Sequence, residues 1–181
     1  SKLISFYLGV KDNFEILKTE LSEIENIYKI NRRKFEELKS KSPEMRVADE
    51  NEALYYQIRN MFNDLTEKKY SEALLYFFIN KTAYSGMIRY NSKGEFNVPY
   101  GRYANLNTSL VTKAHSSLLT NTEIYNLDYS EIFRIAEKND FMFLDPPYDC
   151  VFSDYGNIEH KDGFNERNQV ELANMYKKLK C

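Results

Sequence analysis

The stretch FMFLDPPYDC, from Phe141 to Cys150, decides the fold that the sequence predicts. Four apolar residues lead directly into an acid, two prolines and a tyrosine. Proline has no backbone N–H to donate to a sheet ladder, so a strand that reaches Pro146 ends there. In open α/β sheets, ligands bind outside the carboxyl ends of the strands. The stretch therefore predicts a buried strand with a functional site around Asp145.

The sequence on both sides of this stretch alternates between strand and helix patterns. Residues 121–129 (NTEIYNLDY) and 140–147 (DFMFLDPP) are typical of strands, whereas 130–139 and 166–180 are typical of helices. Strand, helix, strand, helix is the βαβ order of a parallel sheet. Two strands do not make a stable open sheet, so we expect this α/β part to be incomplete in the chain.

The region before residue 113 is dominated by helix patterns. Apolar residues recur at spacings of three and four in the second helix, at Phe14, Leu17, Leu21, Ile24 and Tyr28. Two more helices are predicted, in ADENEALYYQIRNMF (48–62) and YSEALLYFFINKTAY (70–84). The turn signal NSKG then separates MIRY from EFNV, which predicts a β-hairpin over about 86–103. The predicted class is thus mixed α/β, with a helical domain over 1–112 and an α/β domain over 113–181.

Composition bounds the class of protein. The 181 residues carry a net charge of −2, are 43% hydrophobic and include two cysteines, which is typical of a globular chain without a disulfide framework. The start lacks the pattern of a secretory signal, and no run of about 18 apolar residues predicts a membrane span. We therefore expect a cytoplasmic protein. His115 and His160 lack metal-ligand spacing, so no metal site is predicted.

Charge is unevenly distributed along the chain. Residues 81–113 contain five basic residues and one acidic residue, and four tyrosines lie in 84–103. Such a segment predicts an anion-binding face with rings on which bases can stack. The alternative is an ordinary fluctuation on a solvated surface.

The DPPY residues suit a specific chemistry. The carboxylate of Asp145 and a nearby carbonyl can together accept both hydrogens of an exocyclic amine, such as N6 of adenine. Two acceptors placed in this way favour a nitrogen whose lone pair can attack, which is electrostatic preorganisation. Tyr148 offers a face for a flat base, and the reaction then needs an electrophile such as a sulfonium methyl in line with the nitrogen. The alternative is a strand that ends in a proline-rich turn.

Several motifs together carry a family resemblance. The segment NKTAYSGMIRYNSKGEFNVPYGRY (80–103), YYQIRNMFN (55–63), NLDY (126–129) and DPPY (145–148) resemble the Dam-type DNA adenine-N6 methyltransferases. The resemblance implies methyl transfer from S-adenosylmethionine to N6 of a flipped-out adenine in duplex DNA, at a GATC-like site. It also implies that 1–112 is the target-recognition domain and 113–181 part of a Rossmann-like catalytic domain.

The resemblance implies roles for single residues in the catalytic part. Asp145 and the Pro146 carbonyl hold the amine, Pro147 stiffens the motif, and Tyr148 stacks on the base. Contacts to the cofactor are implied for Asp128, Tyr129 and Asp145.

In the recognition part, the resemblance implies that Tyr84 inserts into the duplex. Ser85 stands where relatives often have Asn, at the position that faces the orphaned thymine. Met87 and Arg89 match residues that read base edges. Further DNA contacts are implied for Asn97, Pro99, Arg102 and Tyr103, and phosphate contacts for Lys81, Lys93 and Lys113.

The chain also lacks segments of the family pattern: an AGGK-like stretch, the Gly-rich loop that follows it and an acidic residue for the ribose. Members carry a Gly-rich loop that holds the methionine part of the cofactor, and no G-x-G occurs here. We therefore expect an internal fragment, inactive by itself, whose exposed apolar edges favour a homodimer or swapped assembly.

Three other functions stay open. A non-enzymatic DNA-binding module would bind DNA without regard to the cofactor. A cytosine-N4 methyltransferase would more often have Ser at position 145. A purely structural helical domain would leave both motifs unexplained. A role in restriction–modification, in a phage or as a solitary methylase is equally open.

Overall fold

The computed structural model describes residues 1–147 and 164–179. It divides the chain into a first unit, Ser1–Ile124, and a second unit, Tyr125–Cys181. No helix in the described ranges combines the length and the apolar character needed to cross a membrane.

The first unit is built from helices. They are α1 (Lys2–Asp12), α2 (Phe14–Lys41), α3 (Glu50–Phe62), α4 (Glu72–Thr82), a 3₁₀ turn (Tyr84–Gly86) and α5 (Lys113–Thr120). The predicted helices of this region are confirmed, and α2 continues through the polar residues after Ile30 until it approaches Pro43. Asp49 caps the start of α3 by accepting from the Asn51 N–H, and Ser71 caps α4 by accepting from the Leu74 N–H. Thr112 and His115 form a capping box at the start of α5.

Helix α4 lies at the centre of the first unit. Its buried residues lie all around the helix, which explains its nearly continuous apolar sequence. It packs against α1, α2 and α3. Gly9 of α1 is essential to one crossing, since a Cβ there would lie 2.4 Å from the Ala73 Cβ. Helix α2 contributes the apolar stripe that the spacing of three and four predicted, from Phe14 to Tyr28.

The second unit is smaller. It contains α6 (Tyr129–Ile135) and α7 (Glu166–Lys177). Phe133, Phe164 and Leu172 form its buried cluster, and Met142 and Leu144 pack against that cluster from an extended segment.

The predicted α/β class is wrong for the described residues. Those residues form no strand longer than an isolated bridge and no sheet, so the expected Rossmann-like sheet is absent from them. Residues 140–147 are irregular, and Phe141 and Phe143 are 91% and 80% exposed. The alternating pattern leaves Met142 and Leu144 half-buried against the helices of the second unit and not in a sheet, because no described segment pairs with this backbone. The other predicted strand, 121–129, is not formed either, because residues 121–128 are irregular backbone and Tyr129 begins α6.

The predicted β-hairpin over 86–103 is wrong as well. Only two isolated antiparallel bridges occur there, Tyr90 with Phe96 and Ala83 with Tyr100. The physical reason is that side chains of the bundle, described below, take backbone hydrogen bonds that a neighbouring strand would have made. The NSKG turn is confirmed: the Gly94 N–H donates to the Asn91 carbonyl at 2.9 Å, with Gly94 at φ 78°.

Candidate functional site

Residues 84–103, which we call the reading loop, contain most of the predicted DNA contacts. The two ends of the loop are tied to the end of α4. The Tyr84 N–H donates to the Pro99 carbonyl at 2.9 Å, and the Gly101 N–H donates to the Thr82 carbonyl at 2.8 Å. A Cβ on Gly101 would lie 2.4 Å from the Tyr103 ring and 3.0 Å from two backbone oxygens. Glycine is therefore needed where the loop returns to the helix.

The tip of the reading loop is shaped by Asn91. Its side-chain oxygen accepts from the N–H groups of Lys93 and Glu95, at 2.9 and 3.0 Å. Its amide group donates to the Glu95 carboxylate at 2.8 Å. An asparagine that bonds to backbone two residues ahead stabilises a turn without a strand pair.

Arg89 and Asn97 are brought together across the reading loop. The Arg89 Nε–H donates to the Asn97 Oδ1 at 2.9 Å, and the Asn97 N–H donates to the Arg89 carbonyl at 3.1 Å. The Arg89 side chain remains exposed. Arg89 Nη2 also donates to the Asn97 carbonyl, at a longer 3.5 Å, so two nitrogens of the guanidinium hold it in one orientation against Asn97.

The aromatic and basic residues of the loop take different positions. Tyr84 is 56% exposed, and Lys81, Lys93, Pro99 and Tyr103 are exposed too. Met87 is half-buried and packs against the core of the first unit.

Two predicted contacts occur at unusual backbone positions. Ser85 and Arg102 have φ values of 52° and 57°, in the left-handed region that non-glycine residues rarely adopt. Arg102 lies 3.7 Å from the Glu52 carboxylate and is largely exposed. Such conformations persist where surrounding contacts hold them. Here the neighbouring residues Tyr84 and Gly101 are held by their backbone hydrogen bonds to Pro99 and Thr82.

Helix α3 supplies anchors that the sequence analysis missed. The Tyr55 hydroxyl donates to the Val98 carbonyl at 2.8 Å, and Arg59 Nη1 donates to the same oxygen at 3.2 Å. Asn63 bonds both backbone groups of Phe96: its Nδ2 donates to the carbonyl at 2.9 Å and its Oδ1 accepts from the N–H at 2.8 Å. The detectable signal is polar side chains at a spacing of four, which places them on one helix face.

A pair of tyrosine hydroxyls holds the end of the reading loop. Tyr28 donates its one hydroxyl proton to the Tyr103 carbonyl at 2.6 Å, so it accepts from the Tyr100 hydroxyl, also at 2.6 Å. Burial raises the pKa of Tyr28, Tyr55 and Tyr100 above the usual tyrosine value. These phenols therefore remain protonated donors at neutral pH.

The described part of the DPPY motif lies in the second unit. Asp145 is exposed, and no hydrogen bond from a described residue reaches its carboxylate. The Pro147 carbonyl accepts from Gln169 Nε2 of α7 at 2.8 Å. Tyr148 lies outside the described residues. Helix α7 therefore holds the Pro147 carbonyl, one residue after Pro146.

The predicted cofactor contacts Asp128 and Tyr129 begin helix α6. The Asp128 carboxylate caps the helix by accepting from the Ser130 N–H at 2.9 Å. The Tyr129 ring packs edge-on against Phe133 and Phe164, and burial raises its pKa. The carboxylates of Asp128 and Asp145 are exposed and can accept hydrogen bonds from the amino and hydroxyl groups of a nucleoside. These acceptors fit the adenosine part of S-adenosylmethionine. No group of His, Cys, Asp or Glu suited to a metal ion occurs within 1–147 and 164–179.

Comparison with known proteins decides the family. Residues 5–181 match the model of the D12 class N6 adenine-specific DNA methyltransferases. The chain belongs to this family. The resemblance predicted from the sequence is thus confirmed at the level of the family.

Curated relatives agree with this assignment. The chain is 36% identical to the type II methyltransferase M.CviBI of Paramecium bursaria Chlorella virus NC1A, over 72% of this chain and 49% of that protein. It is 34% identical to the type II methyltransferase M.MjaIII of Methanocaldococcus jannaschii, over 97% of this chain and 65% of that protein. It is 30% identical to the DNA adenine methylase of Escherichia coli K12, over 93% and 62%. The chain thus spans about half to two thirds of the length of these relatives.

Proposed function

We propose that the protein is an S-adenosylmethionine-dependent DNA adenine-N6 methyltransferase that acts on duplex DNA at a GATC-like site. The observation that carries the proposal is the Arg89–Asn97 pair, held on an exposed loop in a chain that matches the family from residue 5 to 181. A pre-oriented arginine is the most common specific reader of guanine, through O6 and N7.

The reading loop would supply the DNA contacts. Arg89 and Met87 would meet base edges, and the exposed ring of Tyr84 would enter the duplex beside the vacated adenine, with Ser85 facing the orphaned base. Asn97, Pro99, Arg102 and Tyr103 would lie along the target bases and backbone. Lys81 and Lys93 would neutralise phosphates, which positions the protein without reading sequence.

The DPPY segment would hold the adenine amine. The Asp145 carboxylate and the Pro146 carbonyl would each accept one hydrogen of N6, which increases the basicity of the nitrogen as it attacks. The Gln169 bond to the Pro147 carbonyl would keep this turn in place. Tyr148 would stack on the flipped base. Bound S-adenosylmethionine would supply the methyl group, and Asp128 and Tyr129 would contact its adenine.

The test is methyl transfer from labelled S-adenosylmethionine to GATC and scrambled duplexes, by this chain and by any longer natural form that contains it. We expect the longer form to transfer methyl groups to the GATC duplex and not to the scrambled one, and this chain alone to be inactive. Asp145→Ala should abolish transfer and leave duplex binding unchanged, because the carboxylate acts on the amine and not on the DNA backbone.

Two results would contradict the proposal. One is the absence of transfer to either duplex by every form of the protein. The other is an Asp145→Ala protein whose DNA affinity falls in proportion to its activity. Self-association stays a prediction that the exposed Phe141 and Phe143 rings favour, and a monomer mass independent of concentration would contradict it.

A further inference from the structure

The contact between Asn63 and the reading loop imitates a strand. In an antiparallel sheet, two residues exchange both of their N–H to carbonyl bonds. Asn63 makes the same pair of bonds to Phe96 with its side-chain amide, at 2.9 and 2.8 Å. The side chain of the residue that follows α3 thereby replaces the pairing that a neighbouring strand would have provided.

The held peptide leads directly to Arg89. The Phe96 carbonyl and the Asn97 N–H belong to one planar peptide unit. Asn63 holds the oxygen of this unit, and the Arg89 carbonyl accepts from its N–H at 3.1 Å. The side chain of Asn97 then accepts from Arg89 Nε. The orientation of the guanidinium is therefore linked to the amide of Asn63.

Apolar packing of Phe96 does not depend on that amide. The Phe96 ring is buried and lies edge-on to Phe62 and Tyr90, with ring centroids 5.6 and 5.8 Å apart. Loss of the Asn63 amide would leave this packing in place and release only the orientation of the peptide. The expected effect is local and concerns discrimination between sequences, not the existence of the fold.

We propose that Asn63 is a positioning residue for sequence discrimination, which orients Arg89 through the Phe96–Asn97 peptide. This inference rests on the proposed function and adds a residue outside the reading loop to it. Asn63 does not touch the base in this scheme; it sets the geometry of the residue that does.

The experiment measures the affinity of the full chain for a GATC duplex and for duplexes in which one of the two G·C pairs of the site is replaced. The relevant duplex is the one whose binding depends on Arg89. Asn63→Ala should reduce the ratio of the two affinities about tenfold, the size expected for a misplaced guanine contact. Gln57→Ala, an exposed residue of α3, is the matched control and should leave the ratio unchanged. Ser71→Ala removes the cap of α4 and controls for a general loss of stability.

A double variant separates the positioning role from a structural role. In an Arg89→Ala background, Asn63→Ala should produce no further loss of discrimination, since both changes act on one contact. An additional tenfold loss in that background would overturn the inference, as would an equal loss in Ser71→Ala.

The two proposals fail in distinguishable ways. A wild-type chain that binds both duplexes equally would overturn the proposed function and this inference with it. A wild-type chain that discriminates, beside an Asn63→Ala chain that discriminates equally well, would overturn only the role of Asn63.

Discussion

The two units of the chain differ in how completely they bury their own apolar residues. In the first unit, the rings of Tyr28, Tyr55 and Phe78 are fully buried. In the second unit, the buried cluster consists of Phe133, Phe164 and Leu172, while two phenylalanines a few residues away are exposed. Local stability follows the density of buried apolar contacts. The first unit therefore has an extended core of its own, whereas the described DPPY part of the second unit packs against a small buried cluster.

The largest expected effect is the loss of a core ring from the first unit. Phe78→Ala should lower the free energy of unfolding by about 3–5 kcal/mol, because it removes a fully buried ring. Phe133→Ala, at the cluster of the second unit, should cost less because fewer neighbours enclose it. Chemical denaturation monitored by circular dichroism checks both values.

Phe141→Ala is the control for this pair of variants, and its effect on unfolding should lie within about 0.5 kcal/mol because the ring is exposed. Equal losses for Phe78→Ala and Phe133→Ala would remove the contrast between the units.

A second effect concerns alkaline pH. Burial raises the pKa of Tyr28, Tyr55 and Tyr100 in the folded state, whereas the unfolded chain ionises its tyrosines near pH 10. Their contribution to stability is therefore complete below about pH 10 and is lost as the pH rises further. The free energy of unfolding of the first unit should fall by about 1.4 kcal/mol per pH unit for each such tyrosine.

Denaturation at pH 8, 10 and 11, with phenolate absorbance recorded in parallel, measures this slope. Tyr100→Phe should make the slope shallower, since one suppressed ionisation is removed. A slope that does not change in Tyr100→Phe would show that other groups cause the alkaline loss.

The smallest expected effect concerns the second unit. Gln169→Leu removes the donor to the Pro147 carbonyl and should lower methyl transfer about fivefold, the equivalent of one hydrogen bond of about 1 kcal/mol. The measurement is the initial rate of transfer to a GATC duplex by the active form of the protein. Asn174→Leu, exposed on the same helix, should leave the rate unchanged. A Gln169→Leu rate equal to wild type would mean that α7 does not hold the turn.

The accuracy of the sequence analysis depends on what each pattern requires. A helix satisfies its own backbone hydrogen bonds, so the spacing from Phe14 to Tyr28 was enough to place α2 and its buried face. A strand needs a partner, and the alternation in 140–147 carries no information about whether one is present. The strand predictions were wrong for this reason.

The candidate site was predictable in the same uneven way. Motif likeness identified Arg89 and Asn97 as DNA contacts, and the structure joins them by a hydrogen bond, although their contact with DNA stays a prediction. The bonds from Asn63 and Tyr28 to the loop backbone were not predictable, because a bond between a side chain and a distant carbonyl leaves no trace in the identity of the residue that is held. The only signal was the spacing of four between Tyr55, Arg59 and Asn63, which places their side chains on one face. It gave no information about Tyr28.

The way in which the reading loop is anchored has a consequence for divergence within the family. The anchors bond to backbone atoms of the loop: Tyr28 to Tyr103, Tyr55 to Val98 and Asn63 to Phe96. Backbone atoms are common to all residues. The side chains at positions 87, 89 and 97 can therefore be exchanged without removing these hydrogen bonds. Under the proposed function, a scaffold of this kind would let new target sequences evolve by a few substitutions in the loop, while the helices that support it stay the same.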